Sequence, residues 1–307
     1  MPFPTQRIAA ACAVLPLALA VQAALAQSSV HSGKLLLTGG VSSIDGAAGG
    51  GLTPWAVTGG YGTQGEFGGS AFATRVKTQD YGLTDYGVAL SYGERAELSF
   101  AHQDFDTGPV GGALGMNGLH LKQDIIGLKM RVAGDAVLDS DTWVPQVAVG
   151  VEYKKSHTGP LAAVLTAFGA KDSGTDVYLS ATKLFLAPGI LVNGTLRATK
   201  ANQNGLLGFG ATGHDSYRVE PEVSLAYLLS KNIAIGAEYR GKPDNFRDNV
   251  ALGAGALKED AWTDVFVAWA PWKTVSLTAA YVDLGKIVPG VVTRKQTGAY
   301  LSAQIAY

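Results

Sequence analysis

The chain has 307 residues, with 24 Lys and Arg against 25 Asp and Glu, a net charge of −1 and a mean hydropathy of +0.15. Charged residues make up only 16%, below the roughly 25% typical of soluble domains, and the chain contains 40 glycines and 12 tyrosines. This composition argues against a nucleic-acid-binding protein, whose binding surface is basic, and favours strands and bends over a bundle of helices.

The first 26 residues have the pattern of a cleaved secretory signal peptide. Arg7 precedes the apolar stretch 8–24, and Ala-Leu-Ala at 24–26 is a typical cleavage site. The single cysteine, Cys12, lies too early in that stretch for lipid attachment and leaves with it, so the mature chain has neither a disulfide nor a thiolate metal site. Removal of Arg7 leaves 23 basic against 25 acidic residues, a net charge of −2. Beyond the signal, no run reaches the roughly 18 apolar residues of a membrane helix.

The N-terminal part of the mature chain, residues 27–65, permits two arrangements. Lys34–Ser42 and Trp55–Tyr61 both resemble strands, and a glycine-rich run at 46–51 separates them. They form either an additional hairpin of a sheet or a segment that folds inward.

From Glu66 onward, apolar and polar residues alternate over strand-length segments. The predicted strands are Glu66–Lys77, Asp85–Tyr92, Ala96–Phe105, Leu119–Val132, Trp143–Tyr153, Asp176–Leu186, Ile190–Lys200, Tyr217–Leu228, Ile233–Gly241, Trp262–Ala270, Thr274–Leu284 and Ala299–Tyr307. Within 119–132 the polar residues share the parity of the later apolar ones, which predicts a β-bulge at Ile125–Ile126.

Long and short connections alternate between these strands. The long ones lie near 106–118, 155–173, 201–214, 242–260 and 285–294. This organisation predicts a single all-β domain, 27–307, that forms a closed antiparallel transmembrane β-barrel of about 12 strands, or up to 14, with short periplasmic turns and long extracellular loops.

The last strand supports the same interpretation. It alternates apolar and small or polar residues and ends on Tyr307, as the final strand of a bacterial outer-membrane barrel does. We therefore expect a Gram-negative outer-membrane location. The expected partners are outer-membrane lipid, periplasmic chaperones and the barrel-assembly machinery, with no nucleic acid.

Five segments also resemble those of a known family: Gly33–Ser42, Gly49–Ala56, Asn193–Asn202, Glu238–Asn245 and Ala279–Gly285. The chain resembles a proteobacterial outer-membrane β-barrel family catalogued only as a domain of unknown function. The resemblance implies an outer-membrane barrel and brings no substrate, cofactor or catalytic residue.

Alternation places a band of charged side chains on the inner face of the barrel. These candidates for a lumen constriction are Arg197, Arg218, Glu220, Glu222, Glu238, Arg240 and Asp264. A three-residue turn at 229–231 would set Glu220 opposite Arg240 and Glu222 opposite Glu238. The band is either a constriction that sorts solutes by charge or a lattice of salt bridges that fills the lumen, and a divalent-cation site between Glu222 and Glu238 is a weaker alternative.

One long loop contains an apolar segment, Pro160–Phe168, with proline at the first position of two predicted helical turns. We expect it to fold into the mouth and narrow it, the alternative being a further strand. The mouth-loop candidates are Leu161, Val164, Leu165 and Phe168.

Two histidines lie close to carboxylates along the chain. His102 shares a strand face with Asp104 and Asp106, and His120 precedes Asp124 by four residues. Without a nucleophile motif, rim polarity is favoured over catalysis, so no catalytic residue, metal or cofactor is expected. The glycine-rich segments lack the Gly-Lys-Ser/Thr end of a phosphate-binding loop.

The favoured function is a porin-like passive channel for small solutes rather than an enzyme. Alternatives are a channel for hydrophobic compounds, a barrel enzyme acting on lipid or peptide, and a structural or adhesive barrel. A soluble β-sandwich is a further alternative for the fold.

Overall fold

Twelve antiparallel strands close into a barrel in the computed structural model, which describes residues 34, 36–134, 143–249 and 253–307. The predicted signal peptide lies outside these residues. A short hairpin, β1 (Val41–Ser42) and β2 (Ala48–Gly49), precedes the barrel. The barrel strands are β3 (Phe67–Thr78), β4 (Gly82–Tyr92), β5 (Ala96–Asp106), β6 (His120–Ala133), β7 (Gln146–His157), β8 (Ser173–Phe185), β9 (Ile190–Thr199), β10 (Arg218–Ser230), β11 (Ile233–Arg240), β12 (Trp262–Trp272), β13 (Val275–Asp283) and β14 (Thr297–Ala306).

Each barrel strand pairs with its neighbours in the chain, and β14 pairs with β3 to close the sheet. Closure leaves no unpaired sheet edge, which is the requirement for crossing a bilayer with strands. The predicted fold, a closed antiparallel barrel of about 12 strands, is confirmed.

The alternation of side chains explains both faces of the wall. In β7, Val149, Val151 and Tyr153 are exposed outside, whereas Ala148 and Glu152 are buried inside. The inner face carries the polar and charged side chains and the outer face the large apolar ones, as in transmembrane barrels.

Aromatic side chains mark the two edges of the outer apolar surface. In β4, Tyr86 and Tyr92 both point outward and are six residues apart, roughly 20 Å along the strand. Exposed Trp272 lies near one rim and exposed Tyr281 near the other. Such girdles match the two interfaces of a membrane.

The two rims differ in the length of their connections. Short turns at 93–95, 186–189, 231–232 and 273–274 lie on one rim, which we call the short-turn rim, together with the longer connection 134–145. The short connection 79–81 lies on the opposite rim. The opposite, long-loop rim carries the connections 107–119, 158–172, 200–217, 241–261 and 284–296.

Helices in the described residues are limited to short segments of these loops. They are α1 (Pro109–Ala113), α2 (Ala162–Ala167) and two 3₁₀ turns, Gly159–Leu161 and Gln203–Gly205. Among the described residues, no helix is long and apolar enough to cross a membrane.

The predicted β-bulge at Ile125–Ile126 is wrong. Pairing of β5 with β6 continues without a register shift from Ala96–Met130 to Asp106–His120. The shift in β6 lies instead between Arg131 and Ala133, opposite β7. Because β6 extends above the apolar belt towards the long-loop rim, its outward polar residues reach the aqueous interface and no change of phase is needed.

The N-terminal segment folds inward, and the alternative of 14 barrel strands is therefore wrong. Every residue from Val41 to Gly60 is buried inside the barrel. We call residues 41–60 the plug. Within the described residues, the barrel wall and the plug together fill the middle of the lumen.

Candidate functional site

Both ends of the plug leave through the short-turn rim. Before the plug, Leu37 packs in an apolar cluster with Leu191 and Leu228, which flank short turns. After the plug, the Tyr61 N–H donates to the carbonyl oxygen of Tyr307 at 2.7 Å. The plug is therefore a hairpin inserted from one side and not a segment threaded through the barrel.

Asp45 lies at the tip of this hairpin and is completely buried. Its carboxylate is 2.7 Å from Arg240, 3.1 Å from Lys154 and 3.3 Å from Arg197. These three cations come from β11, β7 and β9, so one plug side chain bridges distant parts of the wall.

The same cations are also paired with carboxylates of the wall. Arg197 lies 2.6 Å from both Glu152 and Glu222, and Lys154 lies 3.0 Å from Asp176. Since an isolated charge is costly to bury, this reciprocal pairing lowers the cost of burying the charged side chains.

Glu238 holds the next part of the plug. Its carboxylate accepts hydrogen bonds from the Leu52 N–H at 2.8 Å, the Thr53 hydroxyl at 2.6 Å and the wall residue Ser224 at 2.7 Å. A Cβ placed on Gly50 would lie 2.2 Å from Glu238 Oε1. A residue without a side chain at this point of the glycine-rich run allows that close approach.

A second wall carboxylate, Glu97, binds the part of the plug that leads back to the short-turn rim. Glu97 accepts from the Ala48 N–H at 3.0 Å and the Gly59 N–H at 2.6 Å, and it lies 2.9 Å from Lys129. The plug is thus bound by charge-assisted hydrogen bonds to its backbone as well as by Asp45.

The structure brings five of the seven constriction candidates into the buried lumen. They are Arg197, Glu222, Glu238, Arg240 and Asp264. Arg218 and Glu220 are half-buried and lie nearer the long-loop rim on β10. Four of the five buried residues belong to the charge lattice or contact the plug, and Asp264 is the cross-strand partner of Glu238.

The predicted register of β10 with β11 is wrong by two residues. Glu222 lies opposite Arg240, at 3.5 Å, and Ser224 lies opposite Glu238. The connection is shorter than predicted and a register shift follows Leu228. Glu222 therefore faces a cation, and the two glutamates do not oppose each other across the strands.

A small apolar cavity of about 70 Å³ lies between the plug tip and the loops of the long-loop rim. Ile44 and Leu52 of the plug form its floor. Its walls and roof include Val76, Tyr81, Phe105, Leu121, Leu161, Leu206, Leu207, Trp262, Val282, Ile287 and Val288.

The mouth-loop segment is helical, as predicted, and partly lines this cavity. Leu161 reaches the cavity wall, while Leu165 and Phe168 pack in an adjacent apolar cluster with Phe246. Val164 is 45% exposed and contributes to neither. Of the four mouth-loop candidates, Val164 therefore lies on the exposed face of α2, away from the cavity.

The 3₁₀ turn Gln203–Gly205 reaches deep into the lumen and was not predicted from the sequence. The Asn204 side chain donates to Asp45 at 3.0 Å and accepts from Arg240 at 2.6 Å and from Lys154 at 3.1 Å. The only sequence signal was the amide-rich run 202–204, which is equally common in exposed loops.

Two buried loop residues, Lys242 and Glu259, hold this turn from the side of the long-loop rim. Glu259 accepts from the Gln203 N–H at 2.8 Å, and Lys242 donates to Gln203 Oε1 at 2.8 Å while lying 3.6 Å from Glu259. Burial raises the pKa of Glu259 to about 7 and lowers the pKa of Lys242 to about 8.

The histidine candidates lie outside the lumen. His102 and His157 both contact Asp124, at 2.6 and 2.9 Å, and His120 contacts Asp104 at 2.5 Å. These side chains occupy the outer wall at the long-loop rim. In the part of the chain that the structure describes, no group of three or more His, Cys, Asp or Glu is arranged to hold a metal ion.

The family described as protein of unknown function (DUF3034) matches residues 38–304. This match covers most of the chain, so the chain belongs to that family, and the resemblance found in the sequence is confirmed. No curated protein matches the sequence.

Among solved structures, the NanC porin is similar at 8% identity over 77% of this chain and 98% of that chain, with a TM-score of 0.49. An outer-membrane channel from Pseudomonas putida F1 shares 12% identity over 81% of this chain and 97% of that one, with a TM-score of 0.46. Outer membrane phospholipase A from Escherichia coli shares 9% identity over 77% and 92%, with a TM-score of 0.41. Because all three TM-scores are below 0.5, these likenesses carry no argument about function.

Proposed function

We propose that this DUF3034 protein is a gated channel of the outer membrane, closed by its plug in the state described. The observation that carries the proposal is that both ends of the plug leave through the short-turn rim. A hairpin that is inserted from one side can withdraw without breaking the pairing between any two strands of the barrel.

The lining of the lumen supports a channel over a permanently filled barrel. Buried ion pairs contribute little net stability compared with well-packed apolar residues. In a lumen that never contains water, Arg197, Lys154 and Arg240 would contribute little to stability. When water replaces the plug, in contrast, these side chains are well solvated.

The sequence predicted a passive channel for small solutes, and the filled lumen does not fit one that is always open. A gate reconciles the predicted channel with the filled lumen, because solutes then pass only after the plug is displaced.

The outer surface of the barrel and the N-terminal signal pattern support an outer-membrane location. An apolar belt bordered by aromatic girdles suits a bilayer, and closed barrels of this type belong to the outer membrane. The short-turn rim then faces the periplasm, where chaperones and the barrel-assembly machinery act on the unfolded chain.

A second candidate, passage of hydrophobic compounds, is favoured by one observation. The cavity that a solute would enter from the long-loop rim is lined almost entirely by apolar side chains, from Leu161 in the mouth loop to Ile44 in the plug. No specific observation favours the barrel-enzyme or adhesive alternatives.

A disulfide between plug and wall tests the gate. Thr53 and Ser224 are in hydrogen-bond contact, and the mature chain has no cysteine, so Thr53→Cys with Ser224→Cys introduces one defined pair. Thr74→Cys with Ser302→Cys, whose hydroxyls are 2.7 Å apart between β3 and β14, is a matched control within the wall.

The readout is single-channel current in a planar bilayer, after heat-dependent gel mobility has verified folding. We expect brief conductance steps from the wild type, none from the oxidised plug–wall pair, and their return on reduction. The control pair should conduct like the wild type in both redox states. Steps that persist unchanged in the oxidised plug–wall pair would contradict the proposal.

A further inference from the structure

The apolar cavity between the plug tip and the long-loop rim, which we call the mouth cavity, has an apolar surface although seven residues with polar groups contribute to its lining. The polar groups of three of them are engaged elsewhere: Gln103 donates to the Ile44 carbonyl, Gln203 to the Ile287 carbonyl, and Asn204 to Asp45. The hydroxyls of Tyr81 and Tyr300 and the indole N–H of Trp262 also belong to the lining and have no hydrogen-bond partner, but none of them is an ionic partner. A charged ligand would therefore lose its hydration here against an almost wholly apolar surface. The cavity therefore selects small uncharged apolar compounds.

The volume of the cavity sets a condition on binding. Its 70 Å³ is about half of the roughly 150 Å³ of an apolar cavity that binds benzene. A molecule of that size enters only if part of the wall moves.

The 3₁₀ turn and the two leucines after it lie outside the barrel strands, as do Leu161, Ile287 and Val288 of the same lining, but this segment also contacts the plug tip. The barrel walls are held by continuous strand pairing, whereas Leu206 and Leu207 belong to a loop. Gln203 has a φ angle of 46°, in the left-handed region that is costly for a residue with a long side chain, whereas Asn204, at 60°, is of a type that adopts this region more readily. The surrounding contacts hold this turn in place, and displacement relieves its backbone.

The opposite side of the same turn holds the plug. Asn204 donates to Asp45 and accepts from Arg240, the wall cation nearest to Asp45. Movement of Leu206 and Leu207 away from the cavity carries Asn204 with them. The turn thus joins two sites, one for an apolar ligand and one for the plug tip.

We propose that the mouth cavity binds a small uncharged apolar compound, and that its binding releases the plug by displacing the segment Gln203–Leu207. This inference rests on the proposed gated channel and adds the class of ligand that opens it. The coupling is reciprocal: a ligand that favours the open state is bound more tightly by that state.

Accessibility of a plug cysteine tests the coupling without any measurement of conduction. Ser43 is fully buried in the plug, so Ser43→Cys in the chain 27–307, which lacks Cys12 and has no other cysteine, is protected from a charged maleimide after reconstitution in lipid nanodiscs. Toluene is the apolar probe and glycerol the polar control. Ser230→Cys, at the short-turn rim and exposed, controls for effects on the labelling reaction.

We expect toluene to accelerate labelling of Ser43→Cys about 5- to 150-fold, the usual range of coupling between two sites, with no effect of glycerol. Adding Val288→Phe, which fills the cavity, should abolish the acceleration although toluene still dissolves in the lipid. Adding Asn204→Ala should give fast labelling that no longer depends on toluene. Native gel mobility of each variant verifies the barrel.

Two results would overturn the inference: labelling that does not respond to toluene, or an equal response in the Val288→Phe variant. If the proposed channel function is wrong but the ligand does release the plug, labelling will respond to toluene and the bilayer current will not. This result is therefore distinct from failure of the present inference.

Discussion

Removing the negative charge of Asp45 should be the most direct way to release the plug and open the lumen. Asp45→Asn keeps the size of the side chain and its capacity to accept from Asn204, but it removes the negative charge between Arg240, Lys154 and Arg197. Removal of one partner of a buried ion pair costs about 3 kcal/mol or more. Because the plug bears this cost only when inserted, the open fraction should rise about 100-fold, at 1.4 kcal/mol per tenfold change.

The assay is the fraction of time that single channels stay open in a planar bilayer at neutral pH. Heat-dependent gel mobility, measured on the same preparations, separates opening of the plug from unfolding of the barrel. The three wall cations retain Glu152, Asp176 and Glu222 as partners, so the barrel itself should remain folded.

A matched control is Asp85→Asn. Asp85 is an equally buried lumen carboxylate, and neither of its oxygens has a hydrogen-bond partner in the plug or the wall. Its substitution should leave the open fraction near or below that of the wild type. A folded Asp45→Asn barrel that stays closed as long as the wild type would refute the view that Asp45 holds the plug.

Three further predictions concern the turn, the plug and the wall. Burial raises the pKa of Glu259 from 4.5 to about 7, so its stabilisation of the turn is fully present below about pH 4.5 and is lost as the pH rises through 7. Hydrogen exchange of the Gln203 amide, corrected for its intrinsic rate, should accelerate from pH 5 to pH 8, and Glu259→Gln should remove that dependence. Gly50→Ala should raise plug accessibility to protease, because its methyl group would overlap Glu238, whereas Gly194→Ala, with open space around its Cβ, should have no effect. Leu301→Arg, on the outer face of β14, should cost about 2–4 kcal/mol in urea unfolding from lipid, and a cost near zero would argue against a bilayer around this wall.

Local periodicity was sufficient to predict the barrel. Alternation along β7 gave the correct inward and outward faces, since that pattern depends only on neighbouring residues. It failed at Ile125–Ile126 because the height of a residue above the membrane, which permits outward polar residues, is not encoded in alternation. The predicted register of β10 with β11 was wrong for a related reason. The length of the turn between two strands sets every residue pair along them, and the exact turn length could not be read from the sequence.

The candidate site was predicted only in part. Alternation indicated that Arg197 and Arg240 face inward, but the contacts that define the site are long-range. Lys154 and Asp45 are 109 residues apart in the chain, and Asn204 and Asp45 are 159 apart. Neither pairing has a local signature, and the glycine-rich run before the barrel was compatible with a strand or a plug.

The C-terminal residue has a consequence for biogenesis. The Tyr307 carbonyl accepts from Tyr61 at the base of the plug and from Gly69 in β3, the first strand of the barrel. Sealing the seam between the first and last strands therefore fixes the base of the plug in the same step. For the proposed gated channel, this shared carbonyl predicts that a molecule whose first and last strands have paired also has the base of its plug anchored.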